Sequence, residues 1–269
     1  MGYVLRRIEE RKNSLNLLRS IVKNPETTLV IHYSCESLFD RGDGSSPRIN
    51  SISVKFLGSG QQRSFSINQL AEREKVPMDK ISSNYAKLER MLLDEFYKFV
   101  DKYKDFKWVH WSMNFNNIGF PALAHRYMVL GGDPISIPDT NLIDLSAILK
   151  KIYGQNYISR PPLYNLINKN DLQTQQLLTG KEEAFAIEAG KYFEASQSTE
   201  SKIYILSKIL YKVVDGHLKT NASTIKWKIL TIRALVEKFL TSNFFKILGL
   251  IGALASIVGL IYVIIKNRL

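Results

Sequence analysis

The side chains with chemistry to offer fall in three short stretches. Ser34-Cys35-Glu36 closes a β-branched run, Ser112-Met113-Asn114-Phe115-Asn116 follows Lys107 to Trp111, and His125-Arg126 lies a few residues further on. His32, His110 and His125, with Glu36 and Asp40, are the residue types of a single-metal site with mixed nitrogen and oxygen ligands. The competing expectation for each of these histidines is a buried ring with a satisfied hydrogen bond. Cys35 beside a histidine is the pairing of a thiol nucleophile, whereas its place in a β-branched run points to burial. Arg48, Arg63, Arg126 and Arg160 suit phosphates or carboxylates, because a guanidinium offers paired donors. Arg126 is the most informative: it either faces a cleft or pairs with Glu36 or Asp144. His217, in a polar loop, is expected in solvent. No P-loop, dinucleotide fingerprint or nucleophile elbow occurs in the sequence.

The chain that must position these groups has 269 residues, 45% apolar and 23% charged. That is enough for one large domain with a real core, and it excludes a largely disordered chain. The single cysteine excludes an intramolecular disulfide framework and a cysteine-rich zinc site. The net charge of +12 fits either a partner bearing phosphates, nucleic acid or anionic headgroups, or a solvated basic surface. Tyr3 to Val22 is too charged for a signal peptide, and Arg6 stands where N-myristoylation at Gly2 needs Ser or Thr.

Periodicity and punctuation predict the elements. Tyr3 to Lys23 is a basic helix that Pro25 ends, and Thr28 to Cys35 a buried strand. Arg48 to Leu57 alternates as a second strand, Gly58-Ser59-Gly60 makes the hairpin, and Gln62 to Asn68 is the third strand. Ile81 to Tyr103 is an amphipathic helix, Lys107 to Trp111 a short strand, and Ile118 to Leu130 a helix stopped at Gly131-Gly132. Ile135 to Ile137 is a brief fifth strand. Helices follow at Leu142 to Tyr153, Pro162 to Asn168, Glu182 to Glu194 and Thr199 to Val214. The result is an α/β domain over 25–216, one mixed sheet with helices on both faces.

This order resembles the ribonuclease H-like fold of the DnaQ-type (DEDD) 3′–5′ exonucleases, over about Thr28 to Val214. The resemblance implies a mixed five-stranded sheet flanked by helices, and four carboxylates holding two Mg²⁺ or Mn²⁺ ions. The ions activate water and stabilise the leaving oxygen in an in-line attack on a phosphodiester. The family's Asp-x-Glu falls on Ser34-Cys35-Glu36, which keeps only the Glu. Its Asn-x-x-Phe-Asp falls on Ser112 to Asn116, where Phe115 is kept and Asn116 replaces the Asp. The last motif should fall near Ser196 to Ser207, which offers Glu200 and no Asp, and Asp144-Leu145-Ser146 echoes the family's start to the following helix. Neutral Ser and Asn cannot offset two divalent cations, so the resemblance predicts a degenerate site that has lost the chemistry. Ser34, Glu36, Ser112, Phe115, Asn116, Arg126 and Asp144 remain the expected ligand-binding set, with Glu36 the one candidate catalytic residue. Trp108, Trp111, Phe115 and Phe120 offer stacking surfaces for bases, although Trp108 and Phe120 also fit a core.

At the other end, Phe244 to Ile265 is a 22-residue apolar run with one charge, Lys246. At about 1.5 Å per residue it spans about 33 Å, enough for a hydrocarbon core. Lys226, Lys228, Arg233, Lys238 and Lys246 precede it and only Lys266 and Arg268 follow, a bias that places the large domain in the cytoplasm. Gly249, Gly252, Ser256 and Gly259 share one helix face, a seam that lets two backbones approach and suggests self-association, although glycine is common in membrane helices. The preceding segment, 217–243, contains an amphipathic stretch from Ser223 to Ser242, suited to a membrane surface, a second copy or its own domain.

The sequence thus predicts a membrane-anchored protein, with its domain in the cytoplasm, that binds a nucleic acid or nucleotide through an inactive exonuclease-like domain. A sensor or effector role in microbial defence is an expectation drawn from that combination alone. The alternatives are an active metal-dependent nuclease using Glu36, Asp40 and Asp139 or Asp144 with Mg or Mn, and a structural membrane adaptor that binds only protein.

Overall fold

A computed structural model of the chain describes residues 3–36, 46–115, 118–222 and 243–266, together with 229, 232–233, 235–236 and 238–240. Two compact units divide it: Asn13–Asn221, and Met1–Lys12 with Ala222–Leu269.

The larger unit is built on one sheet. Helix α1 (Tyr3–Lys23) leads, through a 3₁₀ turn begun by Pro25, into β1 (Thr28–Cys35). β2 (Ile49–Phe56) and β3 (Gln62–Ser66) complete an antiparallel meander. β4 (Lys107–His110) lies parallel to β1 on its other side, and β7 (Leu142–Asp144) is parallel to β4. The order is therefore β3-β2-β1-β4-β7, a mixed five-stranded sheet. β1 is central because its apolar residues face both ways along much of its length.

One face of β1 presents Leu29, Ile31, Tyr33 and Cys35. It packs with Ile52, Val54, Phe65 and Trp108 against α3 (Tyr85–Tyr103), which returns Leu88, Leu92 and Phe96 at helical spacing. At about 25 cal/mol per Å² of buried apolar area, such a face is the main driving force for folding. The opposite face meets α8 (Tyr192–Val214) and α7 (Gly180–Glu188). α4 (Phe120–Val129), α5 (Leu145–Tyr153) and α6 (Pro162–Lys169) fill the connections.

Several expectations are corrected. Ile135 to Ile137 is not a strand. Pro134 and Pro138 bracket it, a proline has no N–H for a ladder, and the isoleucines instead pack on the core edge. The fifth sheet strand is β7, so the helix expected from Leu142 begins only at Leu145, where Asp144 caps it by accepting from the Ala147 N–H. The third strand stops at Ser66, and α2 (Ile67–Arg73) follows, burying Ile67, Leu70 and Ala71 at i, i+3 and i+4. A two-residue ladder, β5 (Asn114–Phe115) with β6 (Ile118–Gly119), precedes α4. α7 ends at Glu188; Gly190, with φ of 75°, turns the chain, and α8 starts at Tyr192, seven residues earlier than expected.

In the smaller unit, α9 (Asn243–Lys266) is long and apolar enough to cross a membrane, and none of the described residues of its stretch from Gly249 to Lys266 is buried. Most of the amphipathic stretch from Ser223 to Ser242 lies outside the described residues.

Candidate functional site

On the α8 side, β1 presents Val30, His32 and Ser34, with Glu36 just beyond it. β2 sets Ser53 opposite His32 and Ser51 opposite Ser34, so the apolar face gives way to a stripe of small polar groups. The Ser34 and Ser51 hydroxyls share a hydrogen bond of 2.8 Å, and Ser51 donates on to Thr199 Oγ1 at 2.9 Å. Asn50 Nδ2 donates to the Tyr192 carbonyl at 3.1 Å, and Ser196 donates to Asn68 Oδ1 at 2.8 Å. Tyr192, Ser196 and Thr199 lie at i, i+4 and i+7 of α8. Along this stripe the helix meets the sheet through neutral hydroxyls and a carbonyl, joined by these hydrogen bonds.

The carboxylates are separated and engaged. Glu36 is buried in an ion pair with Arg48, whose guanidinium lies 4.5 Å from the centre of the Tyr85 ring. Asp144 accepts from the Ser112 and Ala147 N–H groups, both at 3.2 Å. Val109 pairs with Val30 and His110 with Asp144, which sets Asp144 level with Ile31, five positions before Glu36. At about 3.3 Å per residue that is roughly 16 Å along the strand, too far for one metal centre to bridge. Asp139 precedes β7, towards the other end of the sheet from Glu36, and Glu200 accepts from Ser64 at 2.6 Å. Among the described residues no three His, Cys, Asp or Glu side chains come together as metal ligands. Asp40 and Asn116 lie outside the described residues, as does the Phe115 side chain. Among the described residues the donor set does not fit a pair of divalent ions.

The histidines do not converge either. His125 is exposed on α4, and His32 is half-buried on β1. His110 is fully buried; its Nδ1 accepts from the Met113 N–H at 3.2 Å, and burial pushes its pKa down to about 4 against the pull of Asp144. Arg126 pairs with neither Glu36 nor Asp144. It grips Glu89 on α3 with two hydrogen bonds, of 2.8 and 2.5 Å. Trp108 is core, as expected, with Phe120 set edge-on to it at 6.4 Å.

At the carboxyl end of β1, Ser34 and Ser112 of the expected set, with His32, come together with two groups the sequence did not single out, Glu183 and Lys202. A cavity of about 290 Å³ lies there, bounded by His32 to Cys35, by Trp111 to Met113 after β4, by Pro161 to Tyr164 at the start of α6, and by Gly180, Glu183 and Lys202. In open α/β sheets, ligands bind outside the carboxyl ends of the strands, where the chain leaves neighbouring strands in opposite directions. β1 and β4 meet that condition. Glu183 and Lys202 are both almost fully buried and pair at 2.6 Å. Burial raises the Glu183 carboxyl and Lys202 pulls it back. Burial, with Lys202 adding to it, holds His32 well below the usual histidine range. A larger groove of about 480 Å³ on the α3–α4 side has Asp139 as its only charged lining residue among the described residues. The signal for Lys202 was available in the sequence: it is a lysine on the stripe Ala195, Thr199, Lys202, Leu206, Ile209, whose other members are uncharged.

The loop between β4 and α4 is held against this cavity. The Gly119 N–H donates to the Tyr33 hydroxyl at 2.8 Å, and Gly119 has φ of 98°. A Cβ at this position would overlap the Met113 carbonyl, so glycine is required.

In the other unit, Gly249, Gly252, Ser256 and Gly259 lie exposed on α9, where the Ser256 hydroxyl donates to the Gly252 carbonyl at 2.9 Å. Comparison of the chain with family models, with curated proteins and with solved structures gives no match.

Proposed function

We propose that this protein is a membrane-anchored binding protein for nucleic acid or nucleotides, built on a ribonuclease H-like domain that has lost its two-metal chemistry. The observation that carries this reading is the neutral hydroxyl layer between β1 and α8. It occupies the place where the resemblance calls for carboxylates. The strand order β3-β2-β1-β4-β7 and its mixture of senses support the fold assignment. The net charge of +12 supports a partner bearing phosphates. The length and apolarity of α9 support anchoring, and the lysine and arginine bias before it supports a cytoplasmic domain. Self-association through the Gly249–Gly259 face belongs to the same reading; cross-linking in membranes should weaken on Gly252→Ile.

The register that separates Glu36 from Asp144 weighs against the active nuclease. The deciding experiment incubates the full chain in detergent micelles with end-labelled single strands and Mg²⁺ or Mn²⁺. The expected result is binding that weakens steeply with salt and leaves the strands intact. Cleavage that disappears in Glu36→Gln would overturn the reading.

A further inference from the structure

Resting on that reading, we propose that the cavity beyond the end of β1 is a pocket for one unpaired nucleobase carrying an exocyclic amino group. Two polar atoms on its lining residues are buried without a hydrogen-bond partner among the described residues, Glu183 Oε1 and His32 Nδ1. Glu183 is only 4% exposed, and a buried acceptor of that kind is costly to leave unmade. Its carboxylate is engaged by Lys202, with Ser198 also acting on it, and in the proposal Oε1 is the atom that accepts from the ligand. A carboxylate oxygen selects an amino donor, as when glutamate reads the amino group of cytosine. His32, half-buried with its Nδ1 out of solvent and its pKa held low, supplies a second hydrogen bond as donor or acceptor according to tautomer.

The walls suit a flat ring. Tyr33, Trp111, Tyr164 and the Pro161-Pro162 pair give the cavity its apolar faces, the type of surface on which an extruded base is held. Its volume is at the lower bound for ligand pockets, matching a base and excluding a stack of several. The buried charges cancel, so the interior has no excess positive charge for a phosphate. Arg160 and Lys181 are exposed, and each adjoins a lining residue in the chain, which puts the cations for a phosphate outside the pocket. The same chemistry fits a base in a strand or in a free nucleotide.

The test uses the full chain in phosphatidylcholine nanodiscs, with fluorescein-labelled octamers of deoxycytidine and of thymidine, and with CMP and UMP. We expect the deoxycytidine octamer to bind about tenfold more tightly than the thymidine octamer. Glu183→Gln should abolish that preference; Glu183→Gln with Lys202→Met, which keeps the buried charge balanced, should do the same if the single variant fails to fold. Cys35, the chain's single cysteine, lines the cavity, so the deoxycytidine octamer should slow its alkylation by N-ethylmaleimide and the thymidine octamer should not. Preference for CMP over UMP with neither octamer bound supports the pocket and makes the ligand a free nucleotide. Equal, salt-sensitive binding of both octamers with Cys35 unprotected overturns the pocket and leaves strand binding standing. No binding of any probe overturns both.

Discussion

Glu89 is fully buried, and groups from two other elements converge on its carboxylate. Arg126 of α4 makes two hydrogen bonds to it, and the Ile49 N–H at the start of β2 donates to Oε1 at 2.7 Å. Breaking such a pair from one side leaves an uncompensated buried charge, whereas replacing both partners by apolar residues is often nearly neutral. Arg126→Met should therefore destabilise the domain by about 3 kcal/mol or more, and Glu89→Leu added to it should recover most of that loss, read as thermal melts by tryptophan fluorescence. His110 makes stability depend on pH. Its folded pKa of about 4 lies below the ordinary 6.5, so the unfolded chain binds the extra proton first. The contribution is fully present above pH 6.5 and is lost as pH falls from there to about 4, on the order of 3 kcal/mol in all. His32 is shifted in the same direction and adds to the loss. Unfolding measured from pH 8 to pH 4.5 should show this slope, and His110→Phe should flatten it.

α8 decides what the end of β1 can do. The residues it sets opposite Asn50 and Ser51, namely Tyr192, Ser196 and Thr199, carry no charge, so a single acid placed at Ser34 has no second carboxylate there with which to assemble a metal site. Ser34→Asp should leave labelled strands uncut in Mn²⁺. It should also lower the melting temperature, because the new carboxylate replaces a hydroxyl paired with Ser51. Much of this architecture was legible in the sequence. β1, the bounds of α1 and the end of α3 follow from β-branching, apolar spacing and proline. The misses have physical causes. Ile135 and Ile137 alternate like a strand, but their flanking prolines prevent pairing on both sides. α2 is only seven residues long, so its apolar repeat blends into the strand before it. At the site, Glu36 could be named but not Arg48 as its partner, because a register and a bulge between Ser34 and Cys35 bring them together. Glu183 escaped because it looks like an ordinary helix surface charge until the packing of α7 on α8 removes the solvent, whereas Lys202 stood out on its uncharged stripe with no visible partner.

For the molecule as a whole, α9 and the positive charge make separable claims on a membrane. Electrostatic attachment is screened by salt, while insertion of an apolar helix is not. The full chain should stay with vesicles through washes in molar salt and alkaline carbonate, and removal of 243–269 should release it, followed by flotation. The hydroxyl chain at the end of β1 has a further consequence, for how the molecule is made. It joins Ser51 to Thr199 across 148 positions of sequence, and the Asn50 bond to Tyr192 crosses 142. Contacts so distant form late, so the first three strands leave the ribosome with one side uncovered and wait for α8. Only a short stretch then separates Val214 from Asn243. If α9 enters a membrane as proposed, the covering of the sheet by α8 and the delivery of the apolar helix fall almost together in time, and a delay in translation between them would leave the open sheet face and the apolar helix to chaperones at once.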